Sequence, residues 1–197
     1  RYMNNELNIV KGNVLRFDEL HQYLAAHEYP FEIHVFEDGS RITSKVEFCP
    51  DTNTLIGLDS PFDPLTGLPF VNFHKAYSAS NIYNSITKYD KVSYVQVLLA
   101  QPNIPVARTF LLGVYFTDNS FTAIDVMNRI NYMKEEFINY GINFLGYGSD
   151  GDARMFNAQK KLINFGEVTM YGSIKLCDNL MSENFSTQDM FHILKRW

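Results

Sequence analysis

Two cysteines, Cys49 and Cys177, are all that a chain of 197 residues contains. They are too few and too far apart for a disulfide scaffold, and no Cys-x-x-Cys pair points to a zinc site. Basic charge is also short. Lys and Arg total 17 against 22 Asp and Glu, a formal net charge of -5, which argues against a strongly basic nucleic-acid grip and leaves any affinity for a polyanion to local patches. No apolar run approaches the roughly 20 residues needed to span a bilayer, and the first residues carry no signal-peptide pattern. Internal repeats and low-complexity tracts are missing too. A nuclear or cytoplasmic location is therefore expected, with no membrane partner. What the chain does have is apolar material: 46% of residues are hydrophobic and 20% charged, enough to bury a core rather than stay disordered. The length fits one domain at roughly 100–200 residues per domain. The chain starts at Arg1 without an initiator Met and stops at Trp197 after a helix-like run, so it reads as a fragment.

Phe17, Leu20 and Leu24 have helical spacing, and a short N-terminal helix is expected before Pro30. In Phe31–Phe36 the apolar Phe31, Ile33 and Val35 alternate with Glu32 and His34, as a half-buried strand requires. Strands at Lys45–Phe48 and Leu55–Leu58, separated by the turn residues Pro50-Asp51-Thr52-Asn53, would complete a three-stranded antiparallel meander. Residues 59–75, with Pro61, Pro64, Gly67 and Pro69, read as a surface excursion, and Ser78–Ile86 as a short helix.

Beyond this point the pattern changes. Tyr94–Ala100 and Thr109–Phe116 are nearly continuous apolar runs, as in strands buried on both faces. Thr122 and Asp125 form a capping-box pattern, opening a helix with Ile124, Met127, Ile130, Met133 and Phe137 on one side and Gly141 closing it. A strand at Ile142–Tyr147 and a helix from Gly151 or Asp152 to about Ile163 follow. This β-α-β-α succession predicts parallel pairing with right-handed crossovers. Antiparallel meander plus parallel half is the layout of a mixed α/β, RNase H-like sheet with flanking helices, which is the fold expected here.

Open sheets with parallel strands place ligands at the carboxyl ends of those strands. Asp38 and Asp150 both fall there, and adjacent strands would bring them together. Two or three carboxylates from different elements suffice to hold Mg²⁺, which prefers oxygen and keeps several waters. Phosphodiester hydrolysis or transfer by paired metal ions needs such a convergence. Turn chemistry competes with this reading, because Asp38-Gly39 and Asp150-Gly151 are both common turn pairs. Asp152 also fits a helix N-cap, and Glu37 an ordinary solvated strand end.

Glu37-Asp38-Gly39-Ser40-Arg41-Ile42, followed by Asp51-Thr-Asn-Thr-Leu-Ile-Gly57, resembles the first catalytic strand and hairpin of transposase-derived proteins of the P-element type. Three more segments resemble the same family in the same order: Tyr94–Pro102, Asp118–Thr122 and Gly146–Arg154, with Gln188–Lys195 closing the series. The resemblance covers about residues 32 to 195. It implies an RNase H-like transposase core over 31–197, preceded by a helical segment over 1–30 and cut before a helical insertion and the third acidic residue. It further implies Asp38 and Asp150 as catalytic residues and metal ligands, Mg²⁺ or Mn²⁺ as cofactor, DNA as partner, and cleavage or strand transfer as the activity. The alternative is a catalytically inactive transposase-derived domain kept as an interaction or DNA-binding scaffold. Homo-oligomerisation and the roles of Asp152, Asp189 and His192 stay open. The resemblance allows His192 to support the site or face DNA, whereas its neighbours Phe191, Ile193 and Leu194 favour plain helix packing. Lys195 and Arg196 could touch phosphates or simply be solvated.

Overall fold

The computed structural model describes residues 15–150 and 152–162, and the strand backbones at 168–171, 174–177 and 185–188. In chain order the elements are α1 (Phe17–Ala26), β1 (Glu32–Arg41), β2 (Glu47–Cys49), β3 (Thr54–Ile56), α2 (Ala79–Lys88), β4 (Tyr94–Pro102) and β5 (Phe110–Thr117). They continue with α3 (Ala123–Asn139), β6 (Asn143–Ser149), α4 (Ala153–Leu162), β7 (Val168–Tyr171), β8 (Ile174–Cys177) and β9 (Phe185–Gln188). The fold is mixed α/β. Its main sheet has five strands in the order β5-β4-β1-β6-β9. β4 is antiparallel to both β1 and β5, whereas β6 is parallel to β1 and to β9.

The antiparallel part is thus β1-β4-β5, which corrects the expected meander. β2 and β3 pair only with each other. Each has three residues, and only Thr54 and Leu55 are buried, so they cannot compete with a nine-residue β4 that matches β1 from Ile33 to Arg41. Residues 42–93 form an insertion closed at its base, where the Ile42 N–H donates to the Ser93 carbonyl at 2.9 Å. The expected burial of β4 and β5 on both faces is corrected as well. Gln96, Leu98 and Ala100 are buried, while Val95, Val97 and Leu99 between them are partly exposed. The link between these two strands is far shorter than the dozen or more residues a parallel crossover needs, so they meet as an antiparallel pair.

One face of the sheet is covered by helices. Ile33, Val35, Leu98, Ala100, Leu112 and Tyr147 belong to the same core as Phe17, Leu20 and Leu24 of α1 and Met155 and Ala158 of α4. Phe17 meets Phe137 of α3 edge to face at 5.0 Å. The α3 start is as expected: Thr122 accepts from the Asp125 N–H, and the Asp125 carboxylate accepts from Thr122, a complete capping box. At the other end Gly141 takes φ +66, the left-handed conformation that suits glycine in a helix-ending turn. The buried stripe, however, is Val126, Arg129, Ile130, Met133 and Phe137. Ile124 is 61% exposed, so the expected stripe was rotated at its N-terminal end. α4 begins as anticipated, with Asp152 accepting from the Arg154 N–H at 2.8 Å in the manner of an N-cap. The β7–β8 hairpin and β9 had no counterpart among the expected elements.

Candidate functional site

β1 carries two neighbouring acids to opposite fates, because successive side chains of a strand alternate between faces. Glu37 lies in phase with Ile33 and Val35 and enters the core, where its side chain is 0% exposed. This corrects the solvated strand-end reading. Its Oε1 accepts from the Tyr115 hydroxyl at 2.6 Å and from Arg129 Nη2 at 2.7 Å. Its Oε2 accepts from Arg129 Nε at 2.9 Å and from the Tyr147 hydroxyl at 2.5 Å. Arg129 spends its remaining reach on the Gly67 carbonyl, at 2.6 Å from Nη1. One carboxylate therefore ties β5, β6 and α3 to β1, and the arginine adds the 59–75 excursion. Burial pushes both tyrosine hydroxyls well above their ordinary pKa, so they stay protonated donors. Burial alone would weaken the Arg129 charge, but the facing Glu37 carboxylate outweighs it and holds the guanidinium protonated.

Asp38 points the other way and is exposed. The expected Asp38-Gly39 turn does not form: β1 runs on to Arg41, and Gly39 lies opposite Gln96. A Cβ at Gly39 would stand 2.7 Å from the tip of the Gln96 side chain, which would have to shift to admit it. The parallel β1–β6 register ends on the pair Glu37 and Ser149. The next residue along each strand is Asp38 on one and Asp150 on the other, so the two positions are neighbours at the carboxyl end of β6. On its other side Asp38 is paired with Val97, and Val97 with Val114. These two valines are partly exposed, so the face that carries Asp38 is not sealed by the described residues.

Asp150 is half-buried and sits in a braced turn. Its Oδ1 accepts from the Asp152 N–H at 3.3 Å. Asp152 in turn is gripped by Arg154, with Nε on Oδ1 at 3.0 Å and Nη2 on Oδ2 at 2.8 Å. Partial burial works against the Asp152 charge, yet the Arg154 hydrogen bonds and charge hold its pKa below the ordinary value. The same guanidinium lies 3.9 Å above the Phe121 ring and reaches Asn119 in the turn after β5.

Among the described residues no group of three or more His, Cys, Asp or Glu side chains is gathered to hold a metal. Asp38 and Asp150 are neighbouring register positions, and Glu37 cannot join them: it lies on the opposite face and already accepts four hydrogen bonds. Asp189, His192, Lys195 and Arg196 lie outside the described residues. A cleft of about 400 Å³ between the β2–β3 hairpin and residues 69–74 is lined neither by Asp38 nor by Asp150. It is separate from the acidic rim.

The sequence patterns assign no site role to Arg129, Tyr115, Tyr147 or Arg154 and place Glu37 in solvent. A signal for Glu37 and Arg129 existed. Glu37 continues the inward phase of Ile33 and Val35, and Arg129 interrupts the apolar stripe of α3 between Val126 and Met133. A charge in phase with a buried stripe on each of two elements is what an internal ion pair looks like in sequence.

No protein-family model matches the chain, and no curated protein matches it. Among solved structures it is similar to one described as the Drosophila P element transposase strand transfer complex, with a TM-score of 0.47 and 10% sequence identity. That similarity covers 86% of this chain and 29% of the other, so this chain spans less than a third of the protein it matches.

Proposed function

We propose that the chain is the first part of a transposase-derived, RNase H-like catalytic core that cleaves or transfers DNA phosphodiesters with divalent metal ions. The observation that carries the reading is the β1–β6 register, which ends at Glu37 and Ser149 and makes Asp38 and Asp150 neighbours. Support comes also from the strand order, three antiparallel strands followed by two parallel ones with α3 and α4 as the connecting helices. The ordered motifs around Asp38, Asp118 and Asp150 point the same way.

The donor chemistry fits. Mg²⁺ is usually held by one or two carboxylates together with waters and substrate phosphates, and it disfavours sulfur and crowded cages. Asp38 and Asp150 would hold the ions. Bound there, the metals would supply an activated water or DNA 3′-hydroxyl and stabilise the leaving oxygen. The protein's own contribution is placement. β1 holds Asp38 within the sheet, β6 ends one residue before Asp150, and the Glu37 cluster beneath them locks those strands to β5 and α3. An exposed rim rather than an enclosed pocket suits a long, stiff, polyanionic substrate.

The test is cleavage of DNA by the full-length protein in Mg²⁺ or Mn²⁺, comparing wild type with Asp150→Ala. Loss of cleavage with an unchanged circular dichroism spectrum is expected, and retained cleavage would remove the mechanism. A second reading, an inactive scaffold, is favoured by the lack of a third acidic ligand among the described residues. It predicts DNA or protein binding by the wild type with no cleavage in either metal.

A further inference from the structure

We propose that Arg154 is the positioning residue of the Asp150 carboxylate, clamping the turn after β6 to the turn after β5. This rests on the reading of Asp150 as a metal ligand and names the group that holds it in place.

Asp150 follows the last residue of β6, where the sheet no longer fixes the chain. Its side chain is oriented by the Asp152 N–H, and Asp152 is fixed from three directions by Arg154, through the backbone N–H at 2.8 Å, Nε at 3.0 Å and Nη2 at 2.8 Å. Arg154 is in turn anchored outside its own helix. Nη1 donates to the carbonyls of Asn119 and Phe121, Nη2 to Asn119 Oδ1 at 2.8 Å, and the guanidinium stacks on Phe121 at 3.9 Å. Asn119 holds φ +78, a conformation that few non-glycine residues adopt, and it presents both its carbonyl and its side chain to the same guanidinium. Phe121 is buried, so the anchor belongs to the core rather than to a loose loop.

A planar fork can bridge Asp152 and Asn119 at once. A lysine ammonium carries the same charge but cannot reproduce that geometry. Arg154 also has its donors committed to protein acceptors, which assigns it to the architecture of the site rather than to a DNA phosphate. Groups that orient a metal ligand typically change metal affinity by about 10–100-fold when removed.

The experiment is direct Mn²⁺ binding to the full-length protein, followed by electron paramagnetic resonance of the free ion, for wild type, Asp150→Asn, Arg154→Lys and Asn119→Gly. Glycine suits the positive φ at 119 and removes only the side-chain anchor, so this variant keeps a folded control available. Arg154→Lys is expected to weaken Mn²⁺ binding by about 10-fold or more, and Asn119→Gly to weaken it less, both with unchanged circular dichroism. A purely structural role would lower the melting temperature and leave the Mn²⁺ midpoint where it was. Wild-type affinity in both variants, with binding lost in Asp150→Asn, overturns the positioning role alone. Undiminished binding in Asp150→Asn overturns the ligand assignment and the positioning role together.

Discussion

The Glu37 carboxylate and the Arg129 guanidinium meet fork to fork, at 2.7 and 2.9 Å, with both side chains wholly buried. Glu37 is on the central strand and Arg129 in the middle of α3, and the tyrosines that complete the carboxylate's shell come from the adjacent β6 (Tyr147) and from β5 (Tyr115), two strands away. Such a pair costs desolvation that its own attraction only partly offsets, whereas breaking it leaves an uncompensated charge in the core.

Arg129→Met and Glu37→Gln, made singly, are expected to destabilise the fold by about 3–5 kcal/mol each. The double variant should be less destabilised than the two effects added together. Chemical denaturation of all four proteins checks this as a double-mutant cycle. Additive losses would show that the two groups do not sense one another.

Gly67 binds the excursion to α3. It holds φ +62, and a Cβ there would lie 2.1 Å from the Asp125 carbonyl oxygen and 2.5 Å from the Arg129 nitrogen. Gly67→Ala should cost at least about 2 kcal/mol, since both backbone strain and a clash with helix backbone arise and the Arg129 hydrogen bond to residue 67 is put at risk. Thermal denaturation reads it, and a neutral result would mean that the 59–75 segment is free to move away from α3.

Asp59 carries a pH dependence. Burial, with the Asp118 and Asp90 charges adding to it, pushes its carboxyl up to about 6, although it accepts the Asp118 N–H at 3.0 Å. A carboxyl with a folded pKa above its unfolded value binds more protons in the folded state. Its contribution to stability is complete below pH 3.8 and is lost as the pH rises through about 6. Asp59→Asn keeps an acceptor for the Asp118 N–H and should flatten the fall in stability between pH 4 and 7, leaving the variant the more stable protein at pH 7. Urea midpoints measured across that range test it, and parallel curves would contradict it.

Local rules read the helices well and the sheet only in part. The capping box at Thr122 and Asp125, the N-cap at Asp152 and the glycine stop at Gly141 are short-range chemistry, and each is where the pattern put it. The meander was misread because turn residues at 50–53 correctly announce a hairpin but carry no information on which sheet it joins. That choice is made by β4, whose Tyr94 pairs with Arg41 across the whole insertion. Asp38 and Asp150 could be named because each is an acid followed by glycine after an apolar run, but the pairing that makes them neighbours was not legible: the β-α-β pattern joins β5 to β6 through α3, whereas β6 pairs with β1 and β5 lies at the far edge beyond β4. The Arg154 clamp could not be read, since its partners Asn119 and Phe121 lie in a different turn and only the folded chain brings the two turns together.

On the proposed function, Asp38 and Asp150 together form one site for divalent ions. The most direct test is the ¹⁵N NMR spectrum of the chain titrated with Mn²⁺, whose unpaired electrons broaden the amides of residues near it. The amides around Asp38 and those around Asp150 are expected to broaden together at the same Mn²⁺ concentration, and both sets to be spared in Asp38→Asn. An unaltered response in Asp38→Asn, or in Asp150→Asn, would contradict a shared site.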